Sequence, residues 1–502
     1  MKNRQQLYIL IQILALVFYV ILNLGLTFSR GVCCADDGVH ADIAKNLADG
    51  IGYASTLPAS QVHYKVTPFD PELGVGPTVI LPAAILIKLF GNTYWVPGLT
   101  EVLIWSVLLF IIGFFLNKIV ENKLGLTIAT LVFFYFCYTF TAYHSEEWWA
   151  LLGEIPAVLL IILAILVYFY KDSKLNLILI GVLFSLAYQA KVVALLPFGV
   201  FFITIVLIHI YRKRKDRIIS PTSILHQLLL IVLGFFIPTL LFEFWKLLVL
   251  QISGYLDWWS RFLVYFSTLG IGSELTAFER IGERIGTAIE RFGIFLPALL
   301  LLLPFIGWGI KREKKLFQIF LVLASIIFVY TIYWIFSSIG WARYYIIPLI
   351  LMILVLVFPF LSMGLSKKIK IIYAIILAAI SFYNIKSIRV DYPLNDIILY
   401  RPNSRTLSQK ETVAILASQI DRRPFYTQWW ATAVDLEYLL DTHVNFNTVY
   451  DPEADFSEPF ILVAHTGFLL LDLPEVTEIL QNCNKKEIGP YIYGECPPLS
   501  EP

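Results

Sequence analysis

The chain has 502 residues, 58% of them hydrophobic and 15% charged, with a mean hydropathy of +0.74. Soluble domains are roughly half apolar and about a quarter charged, and one spanning helix needs only ~20 apolar residues, so an ordinary soluble protein and a singly anchored one are both excluded. The formal net charge of +1 gives no long-range field for nucleic acid, which leaves the positions of the charges as the informative quantity.

Lys2 and Arg4 precede an apolar run from Leu7 to about Phe28. The run is too long for the core of a secretory signal and no A-x-A cleavage site follows, so it reads as a retained first span. Further runs of spanning length lie near 97–116, 126–143, 149–170, 174–190, 193–211, 224–250, 293–310, 316–337, 345–363 and 369–384, which makes eleven. Basic clusters at Lys118 with Lys123, Lys171 to Lys174, Arg212 to Arg217, Lys311 to Lys315 and Lys367 to Lys370 fall in every second loop. The positive-inside rule puts them in the cytoplasm with the N-terminus, and an odd number of spans puts the tail outside. The predicted setting is a multi-pass plasma (inner) membrane.

The long pieces then face outward: residues 29–96, residues 251–292, a short loop at Trp341, and everything after about Lys386. Within the first loop, Gly76 to Phe90 is apolar but about fifteen residues long, which predicts a re-entrant or interfacial helix. The tail carries helix-like runs at Ser404–Ile420 and Thr432–Leu440 and strand-like runs at Pro424–Gln428, Asn445–Tyr450 and Pro459–Ala464. A helix at Pro474–Asn482 and a strand at Tyr491–Tyr493 complete it. The predicted fold is a mainly α-helical polytopic membrane protein with about 11 transmembrane helices and juxtamembrane helices in the first outer loop (29–96). Residues 1–385 form the transmembrane domain, and residues 386–502 form a small extracytoplasmic α/β domain. The five cysteines show no CxxC metal pattern, and Cys483 and Cys496 flank the last strand, where a bridge suits an oxidising compartment.

After the first span, Asp36 and Asp37 open a helix in which Val39, Ile43 and Leu47 share one face while His40, Asp42, Lys45, Asn46 and Asp49 point elsewhere, with Gly50 as its stop. The acidic pair has two readings: a helix N-cap, or a general base whose pKa the neighbouring like charge raises. Lys191 ends a span, Arg343 opens one beside Tyr344, and Lys65 precedes the re-entrant segment. Each is either a cation for a departing phosphate or a side chain snorkelling from a helix end, and Arg261 is a weaker candidate of the same kind. Glu147 precedes Trp148 and Trp149 at the edge of a span, and Glu154 is expected about two turns deeper. A carboxylate at that depth serves a substrate or metal, or pairs with a neighbouring span. Trp429 and Trp430, in the tail, are candidates for a wall over the site.

An acidic pair directly after the first span, followed by an amphipathic helix ending in Gly50-Ile51-Gly52-Tyr53, resembles the first loop of GT-C glycosyltransferases such as protein O-mannosyltransferases and lipid A aminoarabinose transferases. Asp36 stands where these enzymes place an active-site Asp, and Asp37 replaces the Glu that commonly follows. The likeness continues in Pro68 to Pro77, in Leu89-Phe90-Gly91, and in Trp341-Ala342-Arg343-Tyr344-Tyr345 with Pro348, and it spans residues 1 to about 385. The resemblance implies an inverting enzyme that moves a hexosyl or pentosyl unit from a polyprenyl-phosphate-linked sugar to a glycan, lipid or protein acceptor at the outer face, without a nucleotide. Asp36, with Asp37, would be catalytic. Arg343, Lys191, Lys65 and Tyr344 would hold the donor phosphate, and Glu154, Glu147, Trp429 and Trp430 would serve the acceptor or wall the site. Some relatives hold a divalent cation (Mg or Mn) on carboxylates, for which Asp36, Asp37 and Glu154 could supply oxygens. The competing classes are a transporter or flippase of lipid-linked substrates, which would show paired halves with interrupted helices, and a polysaccharide ligase or polymerase, whose main outer loop would come later.

Overall fold

The computed structural model describes residues 2–56, 66–143, 150–216, 221–271, 277–292, 295–338, 342–387, 401–420, 422–428, 430–444, 446–451, 454–466 and 474–499. Among the described residues, six helical segments are long and apolar enough to cross a membrane: Arg4–Arg30, Val96–Ile119, Val192–Tyr211, Ile224–Tyr265, Lys314–Phe336 and Arg343–Leu361. Each coincides with one of the eleven expected spans; the other expected spans form helices that are shorter or more charged.

The chain opens with α1 (Lys2–Arg30), α2 (Ala35–Ala48), a two-stranded ribbon of β1 (Ala54–Ser55) and β2 (Thr67–Pro68), and α3 (Pro77–Phe90). The bundle continues through α4 (Val96–Ile119), α5 (Lys123–Tyr143), α6 (Glu154–Tyr170), α7 (Lys174–Ala190), α8 (Leu195–Asp216) and α9 (Pro221–Ile271). It closes with α10 (Ala277–Phe292), α11 (Phe295–Ile310), α12 (Lys314–Phe336), α13 (Ile346–Leu356), α14 (Phe358–Leu361) and α15 (Lys367–Ser387). A helix apolar on every side must be surrounded by protein or lipid. Helix α6 is surrounded by protein, with every residue from Glu154 to Val167 buried, and α13 lies beside it. Helix α9 runs at the periphery and breaks at Gln251, whose φ of 57° and ψ of 176° are not helical, so that its last turns carry Trp258 and Trp259 in a new direction.

One boundary differs from the expectation. Helix α6 begins at Glu154 and not at 149, because Gly153 adopts the left-handed conformation (φ 80°) immediately before it. Glu154 is therefore a first-turn residue at the end of the bundle, not a carboxylate two turns inside it.

The expected boundary at residue 385 falls in the last turn of α15, and the C-terminal unit is described from residue 401. Its helices are α16 (Ser404–Ala417), α17 (Trp430–Leu439) and α18 (Pro474–Gln481). Its strands are β3 (Phe425–Thr427), β4 (Phe446–Thr448), β5 (Phe460–His465), β6 (Asn484–Ile488) and β7 (Tyr491–Cys496), paired in the order β4-β3-β5-β7-β6. Strands β3, β4 and β5 are parallel, as β3–α17–β4 requires of a crossover through a helix, and β7 and β6 close one edge as an antiparallel pair. Within this unit, strand β6 is absent from the sequence reading: its residues Asn484 to Glu487 are exposed and polar, so no apolar alternation marks it. Cys483 and Cys496 are bridged across this edge.

Helix α2 lies between the bundle and the C-terminal unit, against α3 on one side and α17 on the other. The polar residues opposite Val39, Ile43 and Leu47 are largely buried: Asp42, Lys45 and Asn46 are each at most 2% exposed. Lys45 Nζ donates to the carbonyls of Glu437 (3.0 Å) and Leu440 (2.7 Å), capping the C-terminus of α17, while Asp42 accepts from Thr56 and Asn46.

Candidate functional site

The site begins with the four residues between α1 and α2. Gly31 turns the chain there at φ 73°, and a Cβ on it would lie 2.4 Å from Oε1 of Gln409. Gln409, on α16, grips the next residue at both ends: its Oε1 accepts from the Val32 N–H (3.2 Å) and its Nε2 donates to the Val32 carbonyl (2.8 Å). Arg405 donates to the Cys33 carbonyl, and Thr406 Oγ1 and the Asn403 N–H donate to that of Ser29. The C-terminal unit thus holds the segment that launches α2.

The N-cap of α2 is Cys34, in extended conformation and without a side-chain cap bond. Neither aspartate is the cap, and their environments diverge. Asp37 is fully buried, accepting from Arg30 Nη2 (3.2 Å), the Cys33 N–H (3.0 Å) and, through its other oxygen, the Leu151 N–H (2.8 Å). The Arg30 and Cys33 bonds tie α2 to the chain before it and the Leu151 bond ties it to the loop before α6, so Asp37 is held in the architecture and faces no open space. Asp36 is the open member, with 36% of its side chain exposed, and it forms an ion pair with Arg343 Nη1.

Arg343 sits in a 3-10 turn, Ala342–Tyr345, that leads into α13, and its guanidinium lies 5.2 Å from the ring centroid of Tyr344. On the same ring, 5.5 Å away, is Nζ of Lys191, which ends α7 in extended conformation and forms an ion pair with Glu154 at 2.9 Å. Lys191 also donates to the Leu152 carbonyl (3.0 Å). Gly153 allows this arrangement, since a Cβ there would lie 2.0 Å from the Ala190 carbonyl oxygen. Asp36, Arg343, Lys191, Glu154 and Tyr344 are therefore brought together from the beginning, middle and end of the bundle.

Burial by itself would raise the Asp36 pKa, but Arg343 and Lys191 outweigh it and hold the carboxyl below its ordinary value. This reverses the expectation that Asp37 would push it up, because Asp37 is compensated on both oxygens while Asp36 faces two cations. His40, one turn along α2 from Asp36, is pushed down to about 3 by burial and by the neighbouring Lys191, and so stands as a neutral imidazole with no hydrogen-bond partner at Nδ1. The sequence reading placed His40 among residues facing away; its i+4 spacing from Asp36 was the signal that puts both on one face.

Lys65, Glu147 and Trp429 lie outside the described residues, and Trp430 opens α17. Arg261 is not part of the cluster: it is about half exposed and pairs with Asp257 one turn away at 3.0 Å. Among the described residues no group of three or more His, Cys, Asp or Glu converges on one point. Asp36, Asp37 and Glu154 each face a cationic side chain instead, so this donor set does not fit a divalent ion.

An apolar groove runs between α8 and α12, lined by Val192, Leu196, Gly199, Ile203, Phe328 and Val329. Val192 follows Lys191 directly in the chain, and the lining is almost wholly hydrocarbon-like.

No model of a known protein family matches the chain, and no curated protein does. Solved structures do, and among them structures of ArnT match over nearly the whole of both chains. ArnT from Cupriavidus metallidurans bound to undecaprenyl phosphate matches with a TM-score of 0.56 at 11% identity, covering 97% of each chain. The same protein in the apo state matches at 0.54 and 11%, over 96% of this chain and 97% of that one. An oligosaccharyltransferase from Archaeoglobus fulgidus in the apo form gives 0.47 at 10% identity, over 91% of this chain and 70% of that one. At such identities the likeness is one of fold.

Proposed function

We propose that this protein is an inverting glycosyltransferase that takes a sugar from a polyprenyl-phosphate carrier and passes it to an acceptor hydroxyl or amine at the membrane face bearing Asp36. The observation that carries the reading is the pair of cations, Lys191 and Arg343, gathered on the Tyr344 ring, with an apolar groove whose wall begins at Val192, the residue after Lys191. That combination suits a ligand with one anionic group and a long hydrocarbon tail. ArnT, with the same fold, has been captured with undecaprenyl phosphate.

The donor phosphate binds Arg343 and Lys191, each of which is already paired with a carboxylate, Asp36 and Glu154 respectively. An incoming phosphate shares those cations, weakens their hold on Asp36 and lets its pKa rise toward the range where it accepts a proton. Donor binding thereby prepares the base. Asp36 then takes the proton of the acceptor O–H or N–H as the freed electron pair attacks the anomeric carbon from the face opposite the phosphate. The bond from that carbon to the phosphate oxygen breaks and its electron pair leaves with the polyprenyl phosphate, whose added charge Arg343 and Lys191 neutralise. Configuration inverts, and the proton on Asp36 returns to solvent. Glu154 orients Lys191, Asp37 anchors the base-bearing helix, and Tyr344 supplies the ring face on which both cations rest.

The test is transfer from radiolabelled polyprenyl-phosphate sugars in membranes carrying wild type, Asp36→Ala or Arg343→Ala at matched protein levels. Loss of transfer in both variants supports the reading. Full transfer without Asp36, or no transfer by wild type from any hexosyl or pentosyl donor, overturns it in favour of a carrier of lipid-linked substrates.

A further inference from the structure

Helix α12 runs for 23 residues from Lys314 to Phe336, about 35 Å, and packs against the 3-10 turn that bears Arg343. Lys314 and Lys315, at its start, therefore lie about the thickness of a bilayer core away from the Asp36 ion pair. Two cavities flank them there. One, of about 330 Å³, is walled by Leu116, Ile119, Ile162, Leu166, Leu354 and Phe358. The other, of about 400 Å³, carries Lys171, Asp172, His209 and Gln227. Lys314 and Lys315 line both, and each volume falls in the range of small-molecule sites.

The two cavities suit different chemistry. Protein interiors are close-packed, so an open space of 330 Å³ among aliphatic side chains calls for an occupant. Water finds no hydrogen-bond partner on such walls, whereas hydrocarbon needs none. The polar groups of this cavity are at its mouth and are largely engaged. Asn122 Nδ2 donates to the Phe360 carbonyl (3.0 Å), and Glu313 Oε1 accepts from the Ser362 hydroxyl and the Gly364 N–H. With Glu121 beside them, the mouth sets two carboxylates against the two lysines and offers an anion no net attraction.

The larger cavity sets three lysines, Lys171, Lys314 and Lys315, against Asp172 alone, and Asp172 accepts from Gln227 Nε2 (3.3 Å). None of these lysine side chains has a hydrogen bond or ion pair among the described residues. At the Asp36 end, by contrast, Lys191 and Arg343 each have a carboxylate partner. His209 also lines the larger cavity and is 8% exposed. Its Nδ1–H donates to the Ile205 carbonyl (2.9 Å), which leaves Nε2 as an unused acceptor. A ligand hydroxyl is a fitting donor for a ring so enclosed.

We propose that this junction binds a glycerophospholipid whose headgroup is anionic and hydroxylated. The phosphate sits among Lys171, Lys314 and Lys315, a headgroup hydroxyl donates to His209 Nε2, and one acyl chain fills the aliphatic cavity. Basic pockets between spanning helices are recurrent seats for anionic lipid headgroups. Lysines that only orient a chain in the membrane need no cavity beside them, no enclosed imidazole and no adjoining aliphatic pocket. A free phosphate shares the headgroup's charge but leaves the aliphatic cavity unfilled. The site lies on the face opposite Asp36 and does not depend on the reaction proposed there.

The experiment titrates the delipidated full-length protein with phosphatidylglycerol, phosphatidylethanol or phosphatidylcholine of identical acyl chains and reads binding by native mass spectrometry. Wild type should bind phosphatidylglycerol at least about tenfold more tightly than phosphatidylcholine. Lys314→Gln with Lys315→Gln, at exposed positions, should erase that preference and leave the KM for a polyprenyl-phosphate donor unchanged. His209→Leu should weaken phosphatidylglycerol several-fold and spare phosphatidylethanol, which has the charge without the hydroxyls. Leu354→Phe, which fills the aliphatic cavity, should weaken all three lipids alike. Equal binding of the anionic and zwitterionic lipids by wild type overturns the proposal, as does a preference that survives loss of both lysines. Displacement of phosphatidylglycerol by excess inorganic phosphate, together with indifference to Leu354→Phe, overturns it in favour of a site for a free anion. A donor KM that rises with the lysine variant overturns it in favour of a second seat for the polyprenyl carrier.

Discussion

Asp36 and Arg343 stand 307 residues apart in the chain and form an ion pair, the carboxylate about a third exposed and the guanidinium nearly enclosed. The pair joins the helix after the first span to the turn before a buried late one. Each partner therefore depends on the other for compensation.

Replacing Asp36 with Asn keeps the side-chain shape and removes the base. Sugar transfer should fall by about 10²–10⁴-fold, the usual worth of a positioned general base. Arg343→Gln should also be strongly impaired, and the double variant should lose less than the product of the two single losses, because the residues act as a unit. Initial rates at matched protein levels test both statements, and strictly multiplicative losses would separate the two roles.

Gln409 belongs to the C-terminal unit, yet its task is at the site. Gln409→Leu strands the Val32 N–H and the Val32 carbonyl, each costing about 1–3 kcal/mol when buried without a partner. The detergent-solubilised protein should unfold at a lower temperature, amide exchange over residues 31–37 should quicken, and turnover should fall with little change in donor KM. Unchanged exchange in that segment would show that the clamp does not govern it.

The neutral state of His40 predicts how stability responds to acid. Its folded pKa of about 3 lies below the ordinary 6.5, so the unfolded chain binds a proton that the native protein refuses. The associated stability is present above the unfolded pKa and is lost as pH falls from about 6.5 toward 3, by at most about 1.4 kcal/mol per pH unit. The depressed carboxyl of Asp36 acts in the same direction but lower, below the ordinary carboxylate range. Asp42 and Glu437, raised chiefly by burial, act oppositely and lose their contribution as pH rises. Thermal unfolding between pH 7 and 4.5 should therefore steepen with acid in wild type, and the difference between wild type and His40→Gln isolates the histidine.

The groove can be closed without disturbing its walls. A Cβ at Gly199 would meet nothing within 4 Å, so Gly199→Phe projects into open space between α8 and α12. It should raise the KM for a long-chain polyprenyl-phosphate donor at least tenfold and do less to a short-chain analogue, because only the long chain fills the groove. Equal effects on both donors would place the lipid elsewhere.

Much of this was determined by the sequence alone. Runs such as Val96–Ile119 and Lys314–Phe336 must be helical in an apolar setting, because only a helix satisfies its own backbone there. The α/β alternation of the tail was also legible, since Phe425–Thr427 and Phe460–His465 are short apolar runs bounded by polar turns. Asp36 and Arg343 were visible through a local motif and a position at a span's end. Other features were decided only by tertiary structure. Two adjacent aspartates look alike in a sequence, and they part company because Arg30 and the Leu151 N–H, 114 residues downstream, converge on Asp37 and leave Asp36 to Arg343. That α17 covers Lys45 on α2, and that the Gln409 clamp spans 377 residues, is likewise invisible along the chain. Periodicity and composition report on a residue's near neighbours along the chain. Which charge compensates a buried carboxylate depends on what lies across from it in space, and only the packed fold decides that.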